Sequence, residues 1–165
     1  MRPPRFWSRP PTSPGIAARA LGPLAASDMR WQDHGCGAIA SDTQVFLTAG
    51  DPATWLYLSP VTYLGGSLHR SDRVASPWLP TGLGSATLTG PHPGEWKAAT
   101  DDLLAADGAR RIRDAESLGI QVERLLNPEE AAALAHNAWR ITTEGGENSA
   151  RLLSLLDDTL AGVPE

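Results

Sequence analysis

The 165-residue chain is long enough for one domain that buries roughly two-thirds of its unfolded surface, and its 41% hydrophobic and 20% charged residues are ordinary for a globular protein. A single cysteine, Cys36, excludes an internal disulfide and slightly favours a reducing compartment, while the lack of any run of about eighteen apolar residues excludes a spanning helix. The net charge of −5 divides into +4 over residues 1–30 and −9 over residues 31–165; so acidic a body argues against a nucleic-acid platform.

In chain order, residues 1–14 (MRPPRFWSRPPTSP) cannot hold a helix, because proline removes backbone donors and restricts the residue before it. The same prolines interrupt any apolar core that a secretory signal would need. Phe6 and Trp7 lie between arginines, a combination suited to a membrane interface, and residues 15–26 (GIAARALGPLAA) form a short helical stretch that Gly22-Pro23 weakens. The two readings of this segment are a lipid-facing arm and a tail without a fixed fold. Residues 27–43 read as a connection. Asp33, His34 and Cys36 fall short of a zinc site, which needs three or four ligands at set spacings, so no metal is expected.

Residues 44–49 (QVFLTA) have strand character. Gly50-Asp51-Pro52 then opens a short helix carrying Trp55, Leu56 and Leu58, with Asp51 as cap and Pro52 in the first position. The centre of the chain comes next. An apolar run from Val61 to Leu64 breaks at Gly65-Gly66; a polar loop leads to a helix opening at Ser76-Pro77; a second apolar run, Ala86-Thr87-Leu88, ends at Gly90-Pro91-His92. Strand, glycine turn, helix and strand are the grammar of a βαβ crossover, which makes a parallel sheet and gathers ligands at the carboxyl edge of its strands.

Beyond His92 the pattern predicts a helix over 95–106 with Trp96, Ala99 and Leu103 at helical spacing, and then a short strand over 110–113. Asp114 caps the next helix, whose apolar face is Leu118, Val122, Leu125 and Leu126. Asn127-Pro128-Glu129-Glu130 is a helix start with a cap, a proline in the first position and a carboxylate reaching back. That helix runs to about Thr143, stops at Gly145-Gly146, and resumes through a leucine stripe over 152–160. His136 and Trp139, three residues apart on it, read as packing groups. The organisation is thus a basic, proline-rich arm and linker over 1–41 and an α/β half-domain with a C-terminal helical segment over 42–165.

These motifs carry two resemblances. Arg2-Pro3-Pro4-Arg5-Phe6-Trp7 and the Ala-Leu-rich piece through Ala26 resemble the extreme N-terminus of the lipid A 4′-kinases, although no phosphate-binding GxxxxGK[ST] loop occurs in the chain. Gly65-Gly66-Ser67-Leu68, then residues 76–84 (SPWLPTGLG), then Gly90-Pro91-His92, then residues 105–114, Leu126-Asn127-Pro128 and residues 133–139 (ALAHNAW) resemble, in order, the C-terminal region of the Kdo transferases. These glycosyltransferases move 3-deoxy-D-manno-octulosonic acid (Kdo) from CMP onto lipid A precursor.

This second resemblance implies a partial Rossmann-like domain, the C-terminal half of a GT-B glycosyltransferase of lipopolysaccharide biosynthesis. It implies CMP-Kdo as donor substrate and no further cofactor, with Gly65, Gly66, Ser67, Ser76, Gly90 and His92 as the nucleotide-sugar contacts. Gly65-Gly66 would let backbone N–H groups approach a phosphate, with the helix at Ser76 turning its positive end to the same spot. It also implies a cytoplasmic location and a separately encoded N-terminal half supplying the acceptor site and the catalytic base, while the first resemblance and the basic, aromatic arm point to an inner-membrane surface as partner through residues 1–26. Residues 1–41 are poor substitutes for the early strands of such a fold.

The departures are as informative as the matches. Leu79 stands where the family has a glutamate for the ribose hydroxyls, Ser76 replaces an asparagine, and Glu95-Trp96 replaces Asn-Phe after Gly-Pro-His. Three readings stay open: a nucleotide-binding half acting with a separate acceptor half, a non-catalytic relative, and a different small α/β protein whose glycine loop takes another phosphate ligand. The glycine pair can also be a tight turn alone.

Overall fold

A computed structural model of the chain describes residues 5–8, 30–33, 45–48 and 52–143 apart from Asp72. The expected helices over 15–26 and 152–160, and the cap Asp51, lie outside the described residues. The chain divides into two compact units, Met1–Trp55 and Leu56–Glu165.

In the first unit three strands form a parallel sheet: β1 (Arg5–Ser8), β2 (Trp31–Asp33) and β3 (Val45–Thr48), in the order β1-β3-β2. Phe6 and Gln32 both register on Phe46. Only the third strand was expected. The prolines at 3, 4, 10 and 11 end β1 on both sides but leave its four-residue centre free to donate, and residues 27–43, read as a connection, contain β2. Helix α1 (Pro52–Leu58) follows, starting at the proline as its fixed φ favours.

The second unit carries β4 (Val61–Tyr63), β5 (Ala86–Thr89) and β6 (Ala109–Arg111), parallel and in sequential order. Between the first two lies the one-turn helix α2 (Trp78–Gly82), and between the last two a 3₁₀ turn (Gly94–Trp96) running into α3 (Lys97–Ala105). Helix α4 (Ala115–Arg124) and helix α5 (128–143) follow. The central strand β5 is buried at all four positions, the mark of a parallel strand covered on both faces.

Register decides which side chains share a face. Tyr63 pairs with Leu88, and Leu88 packs with Ala86, Leu125, Ala131 and Leu134 against Val61, Tyr63, Leu118 and Val122. Thr87 pairs with Ala109, which packs with Leu103 and Ala138 in a second cluster. Helix α5 contributes to both clusters, through Ala131 and Leu134 near its start and Ala138 and Ile141 further on. It approaches so closely that a Cβ on Gly108 would stand 2.8 Å from the Ala138 backbone.

Helix starts behave as their residues dictate. Asp114 accepts from the Ser117 amide at 2.8 Å while the Ser117 hydroxyl accepts from the Asp114 amide, a reciprocal capping box. Asn127 Oδ1 accepts from the Glu129 amide at 3.0 Å. Two details differ from expectation. Glu130 does not reach back to its own helix start but pairs with Arg124 at 3.2 Å. Leu126 falls in the turn after α4 ends and is 63% exposed, so the apolar face of α4 stops at Leu125.

Candidate functional site

Because β4, β5 and β6 run parallel, the loops that leave their carboxyl ends share one edge of the sheet: residues 64–77, 90–96 and 112–114. Five of the six expected contact residues sit in the first two loops within a few residues of the strand ends, and Ser76 joins them where the first loop returns.

The two loops are locked together at their roots. Leu64 donates to the Leu88 carbonyl at 2.9 Å, extending the β4–β5 ladder by one residue. Ser67 is completely buried; its hydroxyl donates to the Leu64 carbonyl at 2.6 Å and accepts from the Gly90 amide at 2.7 Å. The Ser67 carbonyl accepts from the His92 amide at 2.9 Å. With its hydroxyl occupied in both directions and no surface exposed, Ser67 works from beneath the edge rather than presenting a hydroxyl to a ligand.

The glycines divide into two kinds. A Cβ on Gly90 would meet the Ser67 carbonyl oxygen at 2.2 Å, and one on Gly66, whose φ is +82°, would meet the Arg73 carbonyl oxygen at 2.2 Å. Both positions therefore need glycine for the chain's own close packing. Gly65 is different: its Cβ direction is open, with nothing within 4 Å, and the residue is exposed. Among the described residues neither the Gly65 nor the Gly66 amide donates to a backbone carbonyl, which leaves two N–H groups at an exposed bend.

The returning limb of the first loop is anchored residue by residue. Ala75 donates to the Gly65 carbonyl at 3.1 Å, and the Trp78 amide reaches the Ser76 hydroxyl at 3.4 Å. Helix α2 begins two residues later than expected and spans five residues, so the partial charge at its end is small. Thr81 inside it is fully buried, donates to the Pro77 carbonyl at 2.8 Å and accepts from Thr142 of α5 at 3.3 Å. Leu79 lies on the outer side, 42% exposed, beside Trp78 at 37%.

Two contacts escaped the sequence reading. Trp96, read as part of the α3 stripe, belongs to the 3₁₀ turn and donates its indole N–H to the Val74 carbonyl at 3.1 Å. Arg73 matters through its carbonyl, against which Gly66 packs.

Charge in the sequence of the three loops is balanced, with Arg70, Arg73 and Arg113 against Asp72, Glu95 and Asp114, and His69 and His92 besides. The backbone and side-chain bonds from Ser117 hold the Asp114 carboxyl below its ordinary value. Attraction for an anion must therefore come from backbone N–H groups more than from net charge. Among the described residues no group of three or more His, Cys, Asp or Glu could hold a metal ion, and no helix is long and apolar enough to cross a membrane.

No protein-family model and no curated protein matches this sequence. Among solved structures the fold is similar to the crystal structure of the C-terminal CMP-Kdo binding domain of WaaA from Acinetobacter baumannii, with a TM-score of 0.63 and 23% sequence identity. The match covers 77% of this chain and 65% of that one. The likeness shows the fold, an α/β, partial Rossmann-like arrangement.

Proposed function

We propose that this protein is a Kdo transferase-like nucleotide-sugar-binding half-domain that takes the phosphate of CMP-Kdo at the bend Gly65-Gly66 and does not transfer the sugar by itself. The observation that carries the reading is the coincidence of two facts. The fold is similar to a CMP-Kdo binding domain, and the exposed bend with two unengaged amides lies at the carboxyl edge, where parallel sheets collect ligands. His92, half-buried on the neighbouring loop and held by its amide to Ser67, and Ser76, at the return of the first loop, flank the bend. Ser67 and Gly90 support the reading as the joint that fixes the two loops.

Transfer of the sugar requires an acid–base group and an acceptor site, which this reading assigns to a separately encoded N-terminal half. A second reading, a non-catalytic relative, gains from Leu79: an exposed aliphatic side chain cannot accept hydrogen bonds from ribose.

Titrating the full chain with CMP by NMR tests the proposal. The expected result is saturable shifts centred on Gly65, Gly66 and His92. Gly65→Val is the informative variant, since its side chain enters open space and leaves the fold intact while filling the approach to the bend. Loss of CMP binding in folded Gly65→Val supports the reading. No binding to the folded wild type favours the non-catalytic relative, and a preference for an unrelated phosphate compound favours a different ligand.

A further inference from the structure

The short segment 73–76, the returning limb of the first edge loop, is fastened both to the glycine bend of that loop and to the second loop. On one side the Arg73 carbonyl packs on Gly66 and the Ala75 amide donates to the Gly65 carbonyl at 3.1 Å. On the other side the Val74 carbonyl accepts the Trp96 indole N–H at 3.1 Å, and the Val74 side chain lies so near Gly94 that a Cβ there would stand 3.2 Å from Cγ2. Gly94 holds φ +60°, which lets the 3₁₀ turn start beneath Val74 and bring Trp96 into reach.

We infer that Trp96 is a positioning residue: through Val74 it holds the 73–76 limb against the glycine bend and so sets the orientation of the Gly65 and Gly66 amides. Ser67 fixes only the root of the first loop, a few residues after β4, whereas the limb that shapes the far side of the bend has its tie to the second loop at Val74. A hydrogen bond from an indole on a half-buried ring is directional, and its loss frees the Val74 carbonyl from the 3₁₀ turn. An anion at the bend and the turn at 94–96 are consequently coupled, because each biases the position of the same limb. As a statement about ligand affinity this rests on the reading proposed above; as a statement about the loops it stands alone.

The test is amide hydrogen exchange on the full chain, comparing wild type with Trp96→Phe, which keeps a large ring and removes only the donor. The expected result is local: the Ala75 amide exchanges about tenfold faster or more, the change expected from weakening one tertiary hydrogen bond. The buried Leu125, whose amide bonds Gln121 at the end of α4, keeps its rate. An unchanged Ala75 rate overturns the inference, and so does a uniform acceleration that includes Leu125, which would make Trp96 a general stabilising group.

A measurement on the wild type decides the matter if Trp96→Phe does not fold. The Trp96 indole proton is expected to exchange more slowly than those of the exposed Trp78 and Trp139, and equal rates overturn the inference. With CMP as probe, Trp96→Phe is expected to bind about tenfold more weakly. Equal affinity of the two proteins for CMP removes the coupling, whereas absence of CMP binding by the wild type removes the proposed function and leaves the exchange result to judge Trp96.

Discussion

Gly65 and Gly66 are neighbours under different constraints. Gly66 combines a φ of +82° with a carbonyl oxygen 2.2 Å from its Cβ direction, so Gly66→Ala carries both left-handed strain and a backbone clash. Together these are expected to cost about 2–4 kcal/mol. Gly65→Ala meets nothing within 4 Å and is expected to change stability by no more than about 0.5 kcal/mol. Urea unfolding of the two variants checks the contrast, and equal losses would contradict it. Ser67 is the third decisive residue of this turn. Ser67→Ala leaves the buried Gly90 amide without its 2.7 Å acceptor, a loss of about 1–3 kcal/mol by the same measurement. A Thr at this position keeps the hydroxyl but adds a methyl where the site has no exposed surface, so it is not a neutral substitute.

At the scale of elements, helix α4 depends on its first turn. The Asp114 carboxylate accepts from the Ser117 amide, and its pKa is lowered chiefly by that bond, then by further bonding from Ser117. A carboxyl with a lowered folded pKa stabilises fully above its unfolded value, near pH 3.9. It gives up that contribution as pH falls through the lower folded value. Thermal unfolding is therefore expected to show a decline that begins as pH falls below about 4 and continues through the lower folded value. Asp114→Asn, which does not titrate, should show less of it. A variant as acid-sensitive as the wild type would assign the decline to other carboxyls. This cap was legible in the sequence because Asp, a short apolar period and the helix length agree. The strands β4 and β5 were legible for a similar reason, since short apolar runs that end at glycines have few other uses, whereas β6, expected over 110–113, spans Ala109–Arg111. Strands β1 and β2 were not, because proline density and charge masked two short segments whose pairing with β3 is set by tertiary contact rather than by local preference. The candidate site was legible in its residues but not in their roles. Serine followed by leucine after a glycine pair gives no sign that the hydroxyl will point inward to Gly90, and a tryptophan at helical spacing from Leu103 gives no sign that its indole will leave the helix and bond Val74.

At the scale of the molecule, a fold similar to a CMP-Kdo binding domain carries a site whose recognition groups differ from what the resemblance to Kdo transferases implies. In the proposed complex the phosphate end of CMP would meet the exposed amides of Gly65 and Gly66, and the ribose end would meet Leu79. If this residue occupies the place of the family's glutamate, then restoring the carboxylate is the most direct repair. Leu79 is 42% exposed on the outer side of a one-turn helix, so Leu79→Glu buries no charge and is expected to leave stability nearly unchanged. A carboxylate accepting from ribose hydroxyls contributes about 1.5–3 kcal/mol, so the affinity for CMP should rise about tenfold to a hundredfold. Calorimetry of the wild type and Leu79→Glu with CMP measures the gain. Deoxy-CMP, which lacks the 2′-hydroxyl, should lose part of it in the variant and none in the wild type. A folded Leu79→Glu that binds CMP no better than the wild type would separate the fold from the ligand, leaving an edge whose glycines serve the packing of its own loops.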